Sequence, residues 1–268
     1  MNIGLLIVGD EILSGKRADK HLSKVIEQLA ARGLALAWAR YVGDDPERIT
    51  ADLRDAFASG DLVFSCGGIG ATPDDHTRQC AAAALGVPLE LHPQARDFVI
   101  ERMKDVAREN GTTFDPERED NRHRLNMAVF PAGAEIIPNP YNKIAGFAIR
   151  SGAGGVFFVP GFPVMAWPMI EWVLDTHFRH LHVAPSTQER SVIVFGAMEA
   201  ALTPLMEAIE REFAGIKVFS LPSVDHPDWG RHIELGVKGR LALLEAAYAR
   251  LREGLERTGA KLGPELVR

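Results

Sequence analysis

The stretch LVFSCGGIGATPDDHTRQ, residues 62–79, decides the fold and the place of the candidate site. It opens with a short apolar segment and then breaks into three glycines, Gly67, Gly68 and Gly70. Glycines directly after a strand allow a tight turn that brings bare backbone N–H groups close to an anion. A helix after such a turn adds further free N–H groups and the positive end of its dipole. The stretch therefore predicts a strand, a phosphate-binding glycine loop and a helix over residues 75–85.

Two adjacent carboxylates, Asp74 and Asp75, follow the glycines, with Thr72 before them and Thr77 after them. A carboxylate repels a neighbouring phosphate unless a cation lies between the two, so the pattern favours a phosphorylated ligand held together with a divalent metal. The alternative is a glycine-rich turn whose aspartates only cap the helix. Both interpretations fit this stretch alone, because short glycine motifs also occur without function.

The composition is that of an ordinary globular protein. The 268 residues are 46% hydrophobic and 25% charged, which is enough for one large core and a smaller second one. A net charge of −6 gives no general attraction to nucleic acid or to an anionic membrane. Two cysteines, Cys66 and Cys80, are too few for a disulfide scaffold and indicate reduced thiols. Since no segment resembles a signal peptide or a membrane span, we expect a cytoplasmic protein that binds neither nucleic acid nor a membrane.

Strand and helix patterns alternate through the first third of the chain. The apolar run Ile3–Val8 predicts a strand buried on both faces, and helical spacing runs from Asp19 to Gly33. Leu34–Val42 reads as a second strand, and Asp45 then caps a helix that begins with proline. This alternation predicts a doubly wound, mostly parallel α/β sheet.

The rest of the chain predicts two further strands, Ala128–Ile137 and Phe147–Val159, preceded by a charged excursion near the ligand side. After a linker at His180–Ser186 the pattern restarts as a small α+β domain in the order βαββα. We therefore predict two domains, residues 1–180 and residues 187–268.

Polar residues follow three of the predicted strands. They are Gly9–Glu11 with Ser14 and Gly15, then Asp44 and Asp45, then the segment Gly67–Thr77. Ligands of open parallel sheets bind beyond the carboxyl ends of the strands. Three such sets favour a site over chance, although Asp45 also fits a simple helix cap.

Several ordered motifs resemble the competence/damage-inducible protein A family. These are GDEILSGKRADKHL (9–22), VGDDPERI (42–49), CGGIGATPDDHTRQ (66–79), FPAGAEIIPNP (130–140) and VPGFPVMAWPMI (159–170). The resemblance covers residues 1–178 and implies the MoaB/Mog-like molybdopterin-binding superfamily, which also occurs in gephyrin and eukaryotic FAD synthases. It implies a three-layer α/β/α fold and a homo-oligomer. The tail resembles the small KH-like domain of longer members.

The resemblance also implies an activity. Members with this domain are metal-dependent pyrophosphatases of ADP-ribose-like nucleotides, so we expect a hydrolase of a nucleotide diphosphate that uses Mg²⁺, Mn²⁺ or Co²⁺. The alternative is a non-catalytic protein that binds molybdopterin or a nucleotide. By the resemblance, Asp75 is the main catalytic residue with Asp74 and Asp45 assisting, and Asp75 and Asp45 hold the metal. The implied ligand-binding residues are Gly67, Gly68, Gly70, Thr72, Thr77, Glu11, Ser14 and Gly15.

The sequence departs from the family pattern at two places. Ala71 stands where proline is usual, and Tyr141–Lys143 replaces a segment that usually carries glycine or serine. Lys143 either contacts an anionic ligand or is solvated. We expect no deamidase activity, since the sequence ends before the nicotinamide-mononucleotide deamidase domain of longer relatives. A GxxG match at Gly236–Gly239 falls between a predicted strand and a helix, whereas a KH clamp joins two helices, so we expect no RNA clamp.

Overall fold

The computed structural model describes residues 1–183 and 187–267. The chain divides into two compact units, Met1–His182 and Val183–Arg268. Part of the predicted linker, residues 184–186, lies outside the described residues. Each unit has a hydrophobic core of its own.

The first unit contains eight strands and seven α-helices in its described residues. The strands are β1 (Ile3–Val8), β2 (Trp38–Val42), β3 (Leu62–Cys66), β4 (Leu89–Leu91), β5 (Val129–Pro131), β6 (Glu135–Ile137), β7 (Gly146–Ser151) and β8 (Gly154–Val159). The helices are α1 (Asp10–Leu13), α2 (His21–Ala30), α3 (Pro46–Ser59), α4 (Thr77–Leu85), α5 (Pro93–Glu109), α6 (Glu119–Arg124) and α7 (Pro163–His177).

Six of these strands form one mixed, mostly parallel sheet in the order β2-β1-β3-β8-β7-β6. β1, β2, β3 and β8 run parallel, whereas β7 and β6 are antiparallel to their neighbours. The four parallel strands therefore end at one edge, which we call the carboxyl edge. The loops that follow them meet there.

The sheet carries helices on both faces, so the predicted three-layer α/β/α fold is confirmed. Leu5 and Ile7 of β1 pack in one core with Val25 of α2, while the intervening Leu6 packs in the other core with Ile49 of α3. Adjacent side chains of a strand point to opposite faces. Burying each large aliphatic side chain contributes about 1.5–3 kcal/mol, so β1 stabilises both layers.

Helix α3 begins where the sequence predicts it. Asp45 Oδ1 accepts hydrogen bonds from the backbone N–H of Glu47 (2.9 Å) and of Arg48 (3.3 Å), and Pro46 opens the first turn. The helix ends at Gly60, which adopts φ 68°. These local signals determine where α3 begins and ends, directly after the loop that follows β2.

Two predicted strands are wrong because glycine turns divide them. The segment 147–159 is a hairpin of β7 and β8 that reverses at Gly152, where φ is 58°. The segment 128–137 divides at Gly133, with φ 82°, into β5 and β6. β5 pairs with β4 in a separate two-stranded sheet, whereas β6 joins the main sheet. In each segment the glycine turn lies between two apolar runs, and the prediction gave those runs more weight than the turn signal.

Over residues 187–267, the second unit is a four-stranded antiparallel sheet with two helices. In chain order its elements are β9 (Thr187–Phe195), α8 (Glu199–Glu212), β10 (Lys217–His226), β11 (Gly230–Arg240), α9 (Leu241–Arg257) and β12 (Lys261–Val267). The strand order is β10-β11-β9-β12. The predicted βαββα order is therefore one strand short.

The missed strand β12 pairs with β9 at the edge of the small sheet. Its sequence contains Gly263 and Pro264, which weaken a strand prediction, and its register shifts between Leu262 and Glu265. Edge strands tolerate proline at such irregular positions. The GxxG match lies inside β11 and directly before α9, so it does not join two helices. None of the helices in the described ranges has the length and apolar character that a membrane span needs.

Candidate functional site

The glycine loop after β3 is built on two positions that only glycine can occupy. Gly67 and Gly68 have φ values of 107° and 68°, in the region that disfavours side chains. A Cβ on Gly67 would lie 2.3 Å from the carbonyl oxygen of Val8, and one on Gly68 would lie 2.1 Å from Thr77 Oγ1. The turn therefore depends on both glycines.

Thr77 supports this loop from behind. Its side chain is fully buried, its hydroxyl donates to the Gly67 carbonyl (3.1 Å), and its backbone N–H donates to the Gly68 carbonyl (3.0 Å). The sequence assigned Thr77 to ligand binding. The structure instead gives it a supporting role, because its hydroxyl is committed to the loop.

Asp75 closes the next turn of the chain. Its Oδ2 accepts hydrogen bonds from the backbone N–H of Thr72 (2.8 Å) and from the Thr72 hydroxyl (2.5 Å). A Cβ on Gly70 would lie 2.5 Å from the same oxygen, so glycine makes room for the carboxylate. Helix α4 begins after His76 without any side-chain cap. Asp75 therefore closes a turn with Thr72 and does not cap α4.

Arg78 joins the glycine loop to a distant segment and was missed by the sequence reasoning. Only 4% of its surface is exposed, and its guanidinium donates to the carbonyls of Gly70 (2.6 Å) and Asn126 (2.7 Å). Burial lowers the pKa of Arg78, and the charge of Asp75 opposes that shift. The helix dipole disfavours a cation in the first turn of a helix. The position of Arg78 in the first turn of α4 was therefore the sequence signal that its guanidinium needs hydrogen-bond acceptors.

A cleft of about 480 Å³ opens beside Asp75. Its polar lining comes from two regions of the chain, namely Thr72, Asp75, His76, Arg78 and Gln79 in the first and His123 and Asn126 in the second. His123 belongs to the charged excursion that the sequence places near the ligand side. The histidine and Asn126 were not predicted as site residues, since 45 or more residues separate them from the glycine loop in the sequence.

Asp10 and Asp44 link the loops after β1 and β2. The Asp10 backbone N–H donates to Asp44 Oδ2 (3.0 Å), and the Asp44 backbone N–H donates to Asp10 Oδ1 (3.1 Å). Burial raises the pKa of the Asp44 carboxyl above its usual range, and the charges of Asp10, Glu11 and Asp74 raise it further against the effect of the backbone hydrogen bond. We call Asp10, Glu11, Asp44 and Asp74 the acidic cluster. It draws on three loops of the carboxyl edge.

Other predicted residues lie at this edge in different roles. Asp45 is exposed and serves as the α3 cap. Ser14 and Gly15 are exposed in the turn after α1, where their backbone N–H groups donate to the carbonyls of Asp10 and Ile12. The structure thus places Glu11 in the acidic cluster. It also places Asp44 there, whereas the sequence analysis assigned metal binding to Asp45.

Two further side chains that the sequence singled out are not free for chemistry. Burial raises the pKa of the Cys66 thiol far above its usual range, so this cysteine stays protonated. Lys143 Nζ pairs with Asp105 Oδ2 (2.8 Å) and Glu101 Oε1 (3.2 Å) of α5. Its ammonium group is therefore engaged in an ion pair with that helix.

The fold and the site define a three-layer α/β protein whose candidate ligand edge is built around a glycine loop. Residues 4–180 match the family model described as a probable molybdopterin binding domain, and the chain belongs to that family.

Curated relatives agree with the family that the motifs suggested. A CinA-like protein of Anaeromyxobacter dehalogenans (strain 2CP-C) is 37% identical over 175 residues, which is 65% of this chain and 40% of the relative. One from Geobacter metallireducens is 30% identical over 223 residues, or 81% of this chain and 51% of the relative. The chain thus spans about half or less of the length of these relatives. The solved structure of the protein CinA from Thermoplasma acidophilum superposes with a TM-score of 0.56 at 26% identity, covering 65% of this chain and 98% of that one.

Proposed function

We propose that the chain is a metal-dependent pyrophosphatase that cleaves a nucleotide diphosphate of the ADP-ribose type. The observation that carries this proposal is that groups suited to an anion and groups suited to a cation lie at the same edge of the sheet. Within the glycine loop the Gly67 N–H donates to the Val159 carbonyl (3.0 Å), which leaves the N–H groups of residues 68–70 for an anion. Asp10 and Asp44, joined by two hydrogen bonds, bring two carboxylates to the ends of neighbouring strands. A diphosphate and a divalent cation together satisfy both.

The acidic cluster fits such a cation. Asp44 carries an unfavourable charge beside Asp10, Glu11 and Asp74, and a cation relieves that repulsion. Asp10 Oδ2 and Asp44 Oδ1 take no part in the hydrogen bonds that join these two residues, so they would hold the ion. When bound, the ion neutralises charge on the diphosphate oxygens.

Phosphate oxygens of the ligand would complete the shell of the proposed metal. Across residues 1–183 and 187–267, no three His, Cys, Asp or Glu side chains are grouped as a metal site. Mg²⁺ commonly takes one or two carboxylates and completes its shell with water and substrate phosphates. Asp44 replaces Asp45 in this proposal, because Asp45 Oδ1 accepts two backbone hydrogen bonds and Asp45 Oδ2 faces Arg48 Nε at 3.7 Å, so both of its oxygens have partners.

The chain's own groups divide the remaining work. The N–H groups of residues 68–70 bind the diphosphate, and Thr72 fixes Asp75 through Oδ2. Asp75 Oδ1 then accepts a proton from the attacking water. Water adds to one phosphorus while the bridging P–O bond breaks, so that ADP-ribose and water give AMP and ribose 5-phosphate.

The activity is tested by incubating the protein with ADP-ribose and Mg²⁺, Mn²⁺ or Co²⁺, and by measuring AMP with chromatography. We expect Asp75→Asn to abolish AMP release and Asp44→Asn to reduce it by about 100-fold, the scale of losing a metal-site group. Asp45→Asn preserves the cap and retains most activity, because asparagine caps helices as well as aspartate does. Asp97→Asn, an exposed change on α5, is the matched control.

Two results would contradict the proposal. One is the absence of AMP with all three metals, and the other is full activity of Asp75→Asn.

A second candidate is a protein that binds a nucleotide or molybdopterin without turning it over. The observation that favours it is the closed loop, in which Asp75 Oδ2 is already satisfied by Thr72 and no side-chain group for a metal is complete within the described residues. It predicts saturable binding in calorimetry that persists in EDTA. Binding lost on chelation, or no binding of either ligand, counts against it.

A further inference from the structure

A charged segment lies between two open spaces in the first unit. We call residues 115–124, which include α6, the strap. On one side of it lies the cleft of about 480 Å³ beside Asp75, which the strap lines with His123. On the other side lies a cavity of about 170 Å³ between the strap and the second half of α5. The strap residues that line this cavity are Arg118, Asn121 and Arg124. The strap therefore has room on both of its faces.

The polar contacts of the strap are internal. Asp120 pairs with Arg118 (2.5 Å) and with Arg124 (3.5 Å), and the Asn121 amide donates to the Asp115 carbonyl (2.7 Å). Across residues 1–183 and 187–267, the side chains of the strap form hydrogen bonds and ion pairs only with one another or with the strap's own backbone. The strap can therefore move as one piece without losing these contacts.

Two anchors at its ends join the strap to the rest of the unit. Before the strap, Phe114 packs against the core on the α3 side of the sheet, and Lys104 Nζ of α5 lies 5.8 Å from its ring centroid. After the strap, the Asn126 carbonyl accepts from Arg78, which also holds Gly70 of the glycine loop. The motion open to the strap is therefore a rotation about its two ends, either towards the cleft or towards α5.

We propose that the strap is a lid that closes over the cleft beside Asp75 when a nucleotide diphosphate occupies the glycine loop. Closing narrows the cleft and widens the cavity against α5, because the strap leaves one side as it approaches the other. A closed strap brings His123 towards the ligand and keeps bulk water from the reacting diphosphate. The inference rests on the proposed function for the identity of the ligand.

The test is a pair of distances measured by double electron–electron resonance on the spin-labelled full chain. The pair Glu119→Cys/Ala83→Cys joins the strap to α4 on the cleft side, and the pair Glu119→Cys/Arg108→Cys joins it to α5 on the cavity side. All three positions are exposed, whereas both native cysteines are buried and stay unlabelled. The probe is Mg²⁺ with an ADP-ribose analogue whose bridging oxygen is replaced by methylene.

At saturation with the analogue we expect the two distances to change in opposite directions. The distance to α4 shortens and the distance to α5 lengthens, each by more than about 2 Å, the scale of a loop rearrangement on binding. The matched control is Ala83→Cys/Arg108→Cys, which uses the same two body positions without the strap and keeps its distance. Strap distances that stay unchanged, a control pair that changes as much, or an analogue that does not bind would each overturn the inference.

Hydrogen exchange of the unmodified chain gives a second measurement that needs no substitution. We expect the amides of α6 to exchange about tenfold more slowly or less with the analogue bound, and equal rates would count against closure. Release of AMP from ADP-ribose separates this inference from the proposed function. A strap that closes without any AMP release removes the pyrophosphatase only, whereas AMP release with fixed strap distances removes the lid only.

Discussion

Replacing Arg78 by methionine tests how the glycine loop is held. The change keeps an apolar stem of similar length but removes the donors to the Gly70 and Asn126 carbonyls. A buried carbonyl left without a partner costs about 1–3 kcal/mol. Water partly reaches both residues that carry these carbonyls, and the variant no longer has to desolvate a guanidinium. The cost for each of the two carbonyls therefore lies at the low end of this range, about 1 kcal/mol. We expect a loss of about 2 kcal/mol in the free energy of unfolding.

The loss is measured by urea denaturation followed by tryptophan fluorescence. Trp38, Trp167 and Trp172 lie in the first unit and Trp229 in the second, so a Trp229→Phe background reports on the first unit alone. With a urea dependence of about 2 kcal/mol per molar, the midpoint falls by about 1 M.

The control for this prediction is Arg54→Met, an exposed change on α3 that removes no ion pair seen in the described residues. It shifts the midpoint by about 0.25 M or less. A shift of Arg78→Met no larger than this would show that the guanidinium does not brace the loop. Nucleotide affinity of the variant should fall as well, because Gly70 loses its anchor.

Three further predictions concern glycines and aspartates of the first unit. Gly68→Ala places a Cβ 2.1 Å from Thr77 Oγ1 at φ 68° and should abolish nucleotide binding, whereas Gly133→Ala, at φ 82° in open space, should cost only the backbone strain of about 1–2 kcal/mol; denaturation and calorimetry compare the two. Asp44→Asn should raise the urea midpoint at pH 7 in EDTA. The pKa of Asp44 is raised in the folded state, so its penalty is present at neutral pH and disappears as pH falls towards the unfolded value of about 4, where the variant's advantage should vanish. Asp61→Asn should instead lower the urea midpoint at pH 7. Hydrogen bonding from Asn2 lowers the pKa of Asp61, so its contribution of about 1 kcal/mol exists at neutral pH and is lost as pH falls through the lowered folded value; urea midpoints between pH 7 and pH 3 check both signs.

Local rules were sufficient wherever a short segment determines its own conformation. The cap at Asp45, the proline that follows it and the terminating Gly60 are all readable from sequence, and the structure has each of them. The glycine loop was equally readable, because the positions that require glycine follow a strand directly. These features fix the carboxyl edge and hence the place of the site.

Long-range geometry was not readable in the same way. The bond from Arg78 to the Asn126 carbonyl spans 48 residues, and no local pattern predicts that these two segments meet. Asp44 and Asp45 are adjacent, so the sequence could not decide which one turns towards the loops after β1 and β3. The hairpin at Gly152 is a different case, because a local turn signal, Ser151 to Gly155, lies between its two apolar strands and was overlooked.

The most direct test of the account is a crystal structure of the chain with Mn²⁺ and an ADP-ribose analogue whose bridging oxygen is replaced by methylene. The account predicts an anomalous manganese peak beside the carboxylates of Asp10 and Asp44, with the diphosphate over Gly67–Gly70. A manganese ion away from this cluster, or a diphosphate bound away from the glycine loop, would contradict it.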